Sequence, residues 1–199
     1  MKNLVEYVGK HGLFSSVPNV DIKQAQEEIA NCKGNIWTHV ISLRREDADA
    51  LGYRAAQAYY TGTGMEQDYA ESVKWYEKAA AGGDAYAMYA LGKMYRDGIG
   101  VDGNAQSAYK YFLSAAELRH EFAQYAVAKA LLTGEGVDRN VSEAIKWFGK
   151  CAEKGNHFAE YQLAVLFSEG KEVPKDEIKA QKYYAAALAG MLHIGKGIP

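Results

Sequence analysis

The stretch Ala85–Glu117, AYAMYALGKMYRDGIGVDGNAQSAYKYFLSAAE, holds two segments of helical period on either side of a glycine-rich turn. Ala87, Leu91, Met94 and Tyr95 share one face of the first segment, as the 3.6-residue period of an amphipathic helix requires. Gly98 and Gly100 end that helix, because glycine reaches positive φ without a Cβ clash, and Val101 offers one apolar anchor within the turn. Asn104 then stands where its side chain can accept from the orphan N–H groups at the start of the second helix. The stretch predicts a helix pair.

The same pattern recurs along the chain with a period of 36. Gly62, Gly98, Gly134 and Gly170 keep that interval, as do Trp75, Tyr111, Trp147, Tyr183 and the neighbouring Tyr76, Phe112, Phe148, Tyr184. Ser72, Ala108, Ala144, Ala180 and Tyr53, Tyr89, Tyr125, Tyr161 follow it too, and Asp68, Asn104, Asn140, Asp176 supply the capping position in each copy. Small residues at Gly92, Ala128 and Ala164 let neighbouring helices approach, while the aromatic pairs fill the space between repeats. A lone helix pair cannot bury its apolar face, so each copy must stack on the next. The expected fold is all-α: a right-handed α-α superhelix, or solenoid, of four helix pairs with a concave and a convex side. Trp147 is expected to bury its ring, worth roughly 2 to 3 kcal/mol of apolar area.

Composition agrees with a globular reading. The chain has 199 residues, 48% of them hydrophobic and 24% charged, and 23 Lys plus Arg against 25 Asp plus Glu leave a net charge of -2. The electrostatic term that drives non-specific nucleic-acid binding is missing overall. Cys32 and Cys151 stand far apart and in no metal-ligand spacing, which excludes a disulfide framework and fits a reducing compartment. No secretory signal and no stretch long enough to span a bilayer is evident, so the expectation is a cytoplasmic protein that meets no membrane.

The words LGKMYRDGIGVDGNAQSAYKYFLSAAE and AVAKALLTGEGVDRNVSEAIKWFGKCAEKGNHFA resemble the Sel-1-like repeat family, relatives of the tetratricopeptide repeats. The resemblance covers about residues 51–190. Copy one departs from the pattern with Ala55-Ala56 and Met65, copy four with Ala164 and Glu172, and edge repeats commonly diverge. The family implies adaptor and scaffold roles without catalysis, in this case with a protein or peptide partner whose identity the chain does not disclose. A hydrolase reading, which the resemblance also raises because some Sel-1-like proteins are discussed as binding β-lactams, ranks last because no Ser-x-x-Lys motif or other nucleophile arrangement is expected.

Residues 1–46 form a separate, mixed segment ahead of the repeats at 47–190 and a tail at 191–199. DIKQAQEEIANCKG reads as a helix, NIWTHVISL as a strand and REDADALGYRAAQAYY as a helix. KHGLFSS and GNIWTHVISLRREDADALGY resemble the start of a relaxase from mobilisable elements of Gram-positive bacteria, over about residues 7–56. Relaxases hold a metal with closely spaced histidines, whereas His11, His39, His120, His157 and His193 are scattered, so no catalytic residue carries over. The alternative function is therefore a DNA-processing remnant or accessory of a mobile element, without its catalytic motif.

No catalytic, cofactor-binding or metal residues are assigned. The candidate site is a partner-binding groove of Tyr53, Tyr89, Lys93, Arg96, Tyr125, Lys129 and Tyr161, where positions 89, 93 and 96 share a face distinct from the apolar one. The competing reading has those tyrosines packing between adjacent helices. The glycine pairs read as helix terminators and not phosphate cradles, for they lack the Lys-Ser/Thr ending of a P-loop. Cys151 aligns with Ala79, Ala115 and Ala187 and reads as a small core residue. Leu188, Met191, Leu192 and Ile194 leave the carboxyl end apolar, so either the tail folds back as a cap or this edge self-associates.

Overall fold

The structure, a computed structural model, describes residues 48–194, and side chains from 52 to 192. Eight helices are present among them, and no strand: α1 (Ala48–Thr61), α2 (Tyr69–Ala81), α3 (Ala85–Asp97), α4 (Ala105–Glu117), α5 (Glu121–Thr133), α6 (Val141–Ala152), α7 (His157–Glu169) and α8 (Glu177–Ile194). The helix expected over REDADALGYRAAQAYY corresponds to α1, while the expected helix at 21–34 and strand at 35–43 lie outside the described residues. The chain divides into two compact units between Gly83 and Asp84. In the first, α1 packs on α2; in the second, each of α3 to α7 packs on the helix that follows it.

The turns repeat bond for bond. Gly98, Gly134 and Gly170 cap α3, α5 and α7 in the left-handed region, at φ of 67°, 81° and 66°, and Gly62 after α1 adopts φ 71°. The backbone N–H of each capping residue then reaches back to the preceding helix: Asp68 to the Tyr59 carbonyl, Asn104 to Tyr95, Asn140 to Leu131 and Asp176 to Phe167, all at 2.8–3.0 Å. The capping side chains accept from the N–H of Glu71, Ser107, Glu143 and Lys179 at 2.9–3.0 Å. One residue thus closes the turn with its donor and starts the next helix with its acceptor.

In the first repeat both Trp75 and Tyr76 are buried, whereas in the second and third the aromatic pairs divide their labour. Tyr76, Phe112 and Phe148 are buried, whereas Tyr111 and Trp147 are only half-buried, with the Lys150 Nζ 3.9 Å over the Trp147 ring. The structure therefore moves the main apolar load from Trp147 to Phe148, because the second position of each pair points at the first helix of its own repeat. Close approach is real at Gly92, where a Cβ would stand 2.5 Å from the Phe112 ring. Ala56, Ala128 and Ala164, its counterparts, are fully buried. Ser72 sits in an alanine column and satisfies its buried hydroxyl by donating to the Ala56 carbonyl at 2.8 Å.

Candidate functional site

The tyrosines of the candidate groove lie near the middle of the first helices, and each ring meets the inner aromatic of its own repeat. Ring centroids are 5.6 Å apart for Tyr53 and Tyr76, 5.7 Å for Tyr89 and Phe112, 5.6 Å for Tyr125 and Phe148, and 6.0 Å for Tyr161 and Tyr184. Packing and presentation coexist here: Tyr53, Tyr89 and Tyr125 are half-buried and Tyr161 is exposed. Burial pushes the Tyr89 and Tyr125 phenols above their ordinary value, so both remain neutral donors at physiological pH.

In the second unit the cationic members stand one and two turns further along the same helices. Lys93 and Lys129 are exposed and form no ion pair among the described residues, and the Lys93 Nζ lies 6.0 Å over the Tyr89 ring. Arg96 is committed differently. Its Nε and Nη2 donate to the two carboxylate oxygens of Asp97 at 2.8 and 2.9 Å, which holds the Asp97 carboxyl below its usual range. Arg96 and Lys129 border one cleft of about 520 Å³ between α3, α4 and α5, floored by Ala108, Phe112 and Ala126 with Glu135 at its rim. Tyr53 belongs to the first unit and holds the corresponding position there.

Two columns escaped the sequence reading although the 36-residue period carries both. Asp84, His120 and Asn156 are the N-caps of α3, α5 and α7; the Asp84 carboxylate accepts from the Tyr86 and Ala87 N–H groups, the His120 Nδ1 from Ala123 at 3.2 Å, and Asn156 from Ala159. His120 is buried and stacked 4.6 Å from Tyr89, and that burial depresses its pKa. The second column is Tyr86, Phe122 and Phe158, all exposed on the first turn of the same helices. Periodicity alone marks these positions; their exposure required the fold.

The remaining chemistry-bearing groups are structural. Cys151 is buried against α5, and desolvation pushes its thiol up to about 11, far from a nucleophile's range. The Ser-x-x-Lys spacing that the hydrolase reading lacked in fact occurs twice, at Ser107/Lys110 and Ser168/Lys171. Ser168 Oγ donates to the Val165 carbonyl and Lys171 pairs with Glu169, while Lys110 is exposed on α4. Among the described residues no group of three His, Cys, Asp or Glu is placed to hold a metal, and no helix is long and apolar enough to cross a membrane.

Consecutive helix pairs with identical capping and a shared packing column define an all-α solenoid of tandem repeats. The Sel1 repeat model matches residues 51–84, 85–120, 122–156 and 157–190, and the chain belongs to the Sel1 repeat family. It is similar to a Sel1 repeat protein from Oxalobacter formigenes, at 28% identity and a TM-score of 0.68, over 85% of this chain and 70% of that one. It is also similar to c5321, a protective antigen of uropathogenic Escherichia coli that displays the same repeat fold, at 26% identity and a TM-score of 0.71, over 88% of this chain and 43% of that one. A sel1 repeat protein from Klebsiella pneumoniae, 19% identical with a TM-score of 0.51 over 77% of this chain and 72% of that one, shares the fold. No curated protein matches the chain. Sel1 repeat proteins generally act as protein-interaction scaffolds, and their fold is typically non-catalytic. The match begins at residue 51 and lends nothing to the relaxase resemblance of residues 7–56.

Proposed function

We propose that this chain is a cytoplasmic, non-enzymatic scaffold that grips a protein or peptide partner along the first-helix face formed by Tyr89, Lys93, Arg96, Tyr125, Lys129 and Tyr161, with Tyr53 in the same place on the first repeat. The observation that carries the reading is the pairing of half-exposed tyrosine rings with unpaired lysines beside an open cleft of apolar floor. Such a face supplies area, hydrogen-bond donors and charge without any nucleophile or metal. Site-specific photo-crosslinkers test it. A crosslinking residue at position 93 or 129 should capture another protein in the source cell, whereas one at Lys146, exposed on a second helix, should not. Equal capture at all three positions, or retention of the pure protein on DNA at physiological salt in place of protein capture, would overturn the reading.

For the carboxyl end we propose self-association through α8, supported by the exposure of Leu188, Met191 and Leu192 on its outer surface. Light scattering over a range of concentrations reads this directly, and a strictly monomeric species removes it.

A further inference from the structure

Tyr86, Phe122 and Phe158 recur at the 36-residue spacing and are 64, 63 and 57% exposed. Burying a ring of this size is worth about 2 to 3 kcal/mol, and the fold takes that gain at Phe112 and Phe148 while keeping these rings more than half exposed in three successive repeats. The rings are not isolated. Phe122 lies 6.1 Å from Tyr89 of the preceding repeat, Phe158 lies 6.4 Å from Tyr125, and Tyr86 meets His120 edge-on at 4.8 Å. Aromatic side chains from neighbouring repeats therefore alternate along one strip. Positions 122, 125 and 129 follow each other at helical spacing, as do 86, 89 and 93, so the strip has an aromatic edge and, two turns further on, a cationic edge of Lys93 and Lys129.

Resting on the groove reading above, we infer that the partner is an acidic peptide in extended conformation, its apolar side chains seated on Tyr86, Phe122 and Phe158 and its carboxylates facing Lys93 and Lys129. Charge complementarity chooses the sign, since both lysines are exposed and neither forms a salt bridge among the described residues, Asp97 near Lys93 being held by Arg96. Spacing sets the length. Tyr86 lies 4.8 Å from His120 and His120 lies 6.0 Å from Phe122, so these two anchors stand at most about 11 Å apart, about three residues of extended chain at about 3.1–3.3 Å each. With the same step on to Phe158, about seven residues would reach all three anchors, and a peptide of about a dozen leaves room on either side. A nucleic-acid strand also combines negative charge with flat rings, but Glu121 beside Phe122 and Asp97 and Glu135 at the cleft would repel a continuous row of phosphates, whereas a peptide places its carboxylates only opposite the lysines.

Fluorescence anisotropy with probes of known sequence tests the inference on the full chain. The probes are peptides of about a dozen residues: acidic with evenly spaced phenylalanines, acidic with serine in their place, and basic with the same phenylalanines, together with a single-stranded oligonucleotide of matching reach. The acidic apolar peptide should bind best, weaken as salt rises, and lose about tenfold or more in the Phe122→Ser/Phe158→Ser double variant. Lys93→Glu/Lys129→Glu should move the preference toward the basic peptide. Unchanged circular dichroism and thermal unfolding in both variants establishes that the fold is intact, as expected for exposed positions. Failure of the acidic apolar peptide to bind, equal binding of the basic peptide or the oligonucleotide, or affinities unmoved by the variants would each overturn the inference. If the crosslinker at position 93 still captures a protein in that event, the groove reading survives and only the partner's chemistry is wrong; if it captures nothing, both fall.

Discussion

Phe148 and Tyr184 hold the same position in the third and fourth repeats, and one is fully buried while the other is 39% exposed. The helices that carry them share a cap, a packing column and an inward tyrosine contact. What differs is the neighbour: α6 packs extensively against both α5 and α7, whereas α8, among the described residues, packs extensively only against α7. A repeat code assigns the role of each side chain, and the adjacent repeat decides how much that role is worth. The last repeat compensates locally. Glu172 stands where the earlier repeats have Gly64, Gly100 and Gly136 at positive φ, and its carboxylate meets Arg139 of the preceding repeat at 2.7 Å. An ion pair at a repeat boundary replaces a glycine that allowed direct backbone contact.

That contrast is open to direct attack, beginning with the core. Phe148→Ala should cost about 3 to 5 kcal/mol in urea unfolding, Trp147→Ala about 2, and Tyr184→Ala about 1, in the order of their burial. Equal losses at 148 and 184 would mean that α8 is covered as fully as α6. The turn position comes next. A Cβ at Gly136 would collide with the Ala105 carbonyl, and the residue sits at φ 74°, so Gly136→Ala should cost about 2 kcal/mol, from strain and displacement together. Glu172→Ala at the equivalent position of the last repeat should be far milder, because no positive φ is demanded there.

The caps sharpen the comparison through pH. Burial keeps the His120 imidazole neutral, with its pKa below the ordinary 6.5, so the unfolded chain takes up the proton first. Its contribution is therefore intact above that value and declines as pH falls below it, until the folded imidazole itself protonates. Asn156 caps the next repeat without titrating. Replacing His120 by Asn should flatten this part of the stability profile, measured as the unfolding free energy at about pH 7.5 and about pH 5.5. Parallel losses in both proteins would show that the cap does not titrate in this range. The smallest effect concerns Arg119, at φ 64° in a position that Gly83 and Gly155 fill elsewhere. Arg119→Gly should gain up to about 1 kcal/mol, as relief of left-handed strain outweighs the added freedom of the unfolded chain, and differential scanning calorimetry would register the rise.

The groove was legible in part. Tyr53, Tyr89, Tyr125 and Tyr161 declare themselves by period, and the lysines by their distance from the apolar face. The bidentate hold of Asp97 on Arg96 was not legible, because sequence neighbours on a helix do not ordinarily face each other, and only the side-chain geometry brings them together. Nor was the His120 cap, since histidine is an uncommon N-cap and its stacking on Tyr89 depends on two helices meeting.

By itself, the spacing of glycines, caps and aromatic pairs determined the helix pairs, their turns and their family, because these are local requirements of backbone conformation and hydrogen bonding that recur wherever the same residues recur. Tertiary structure alone decided how deeply each aromatic of a pair is buried, which rings stay in solvent and where the stack leaves a helix uncovered. Burial belongs to the space between elements, and a chain written in equivalent repeats does not state which of its copies has a neighbour.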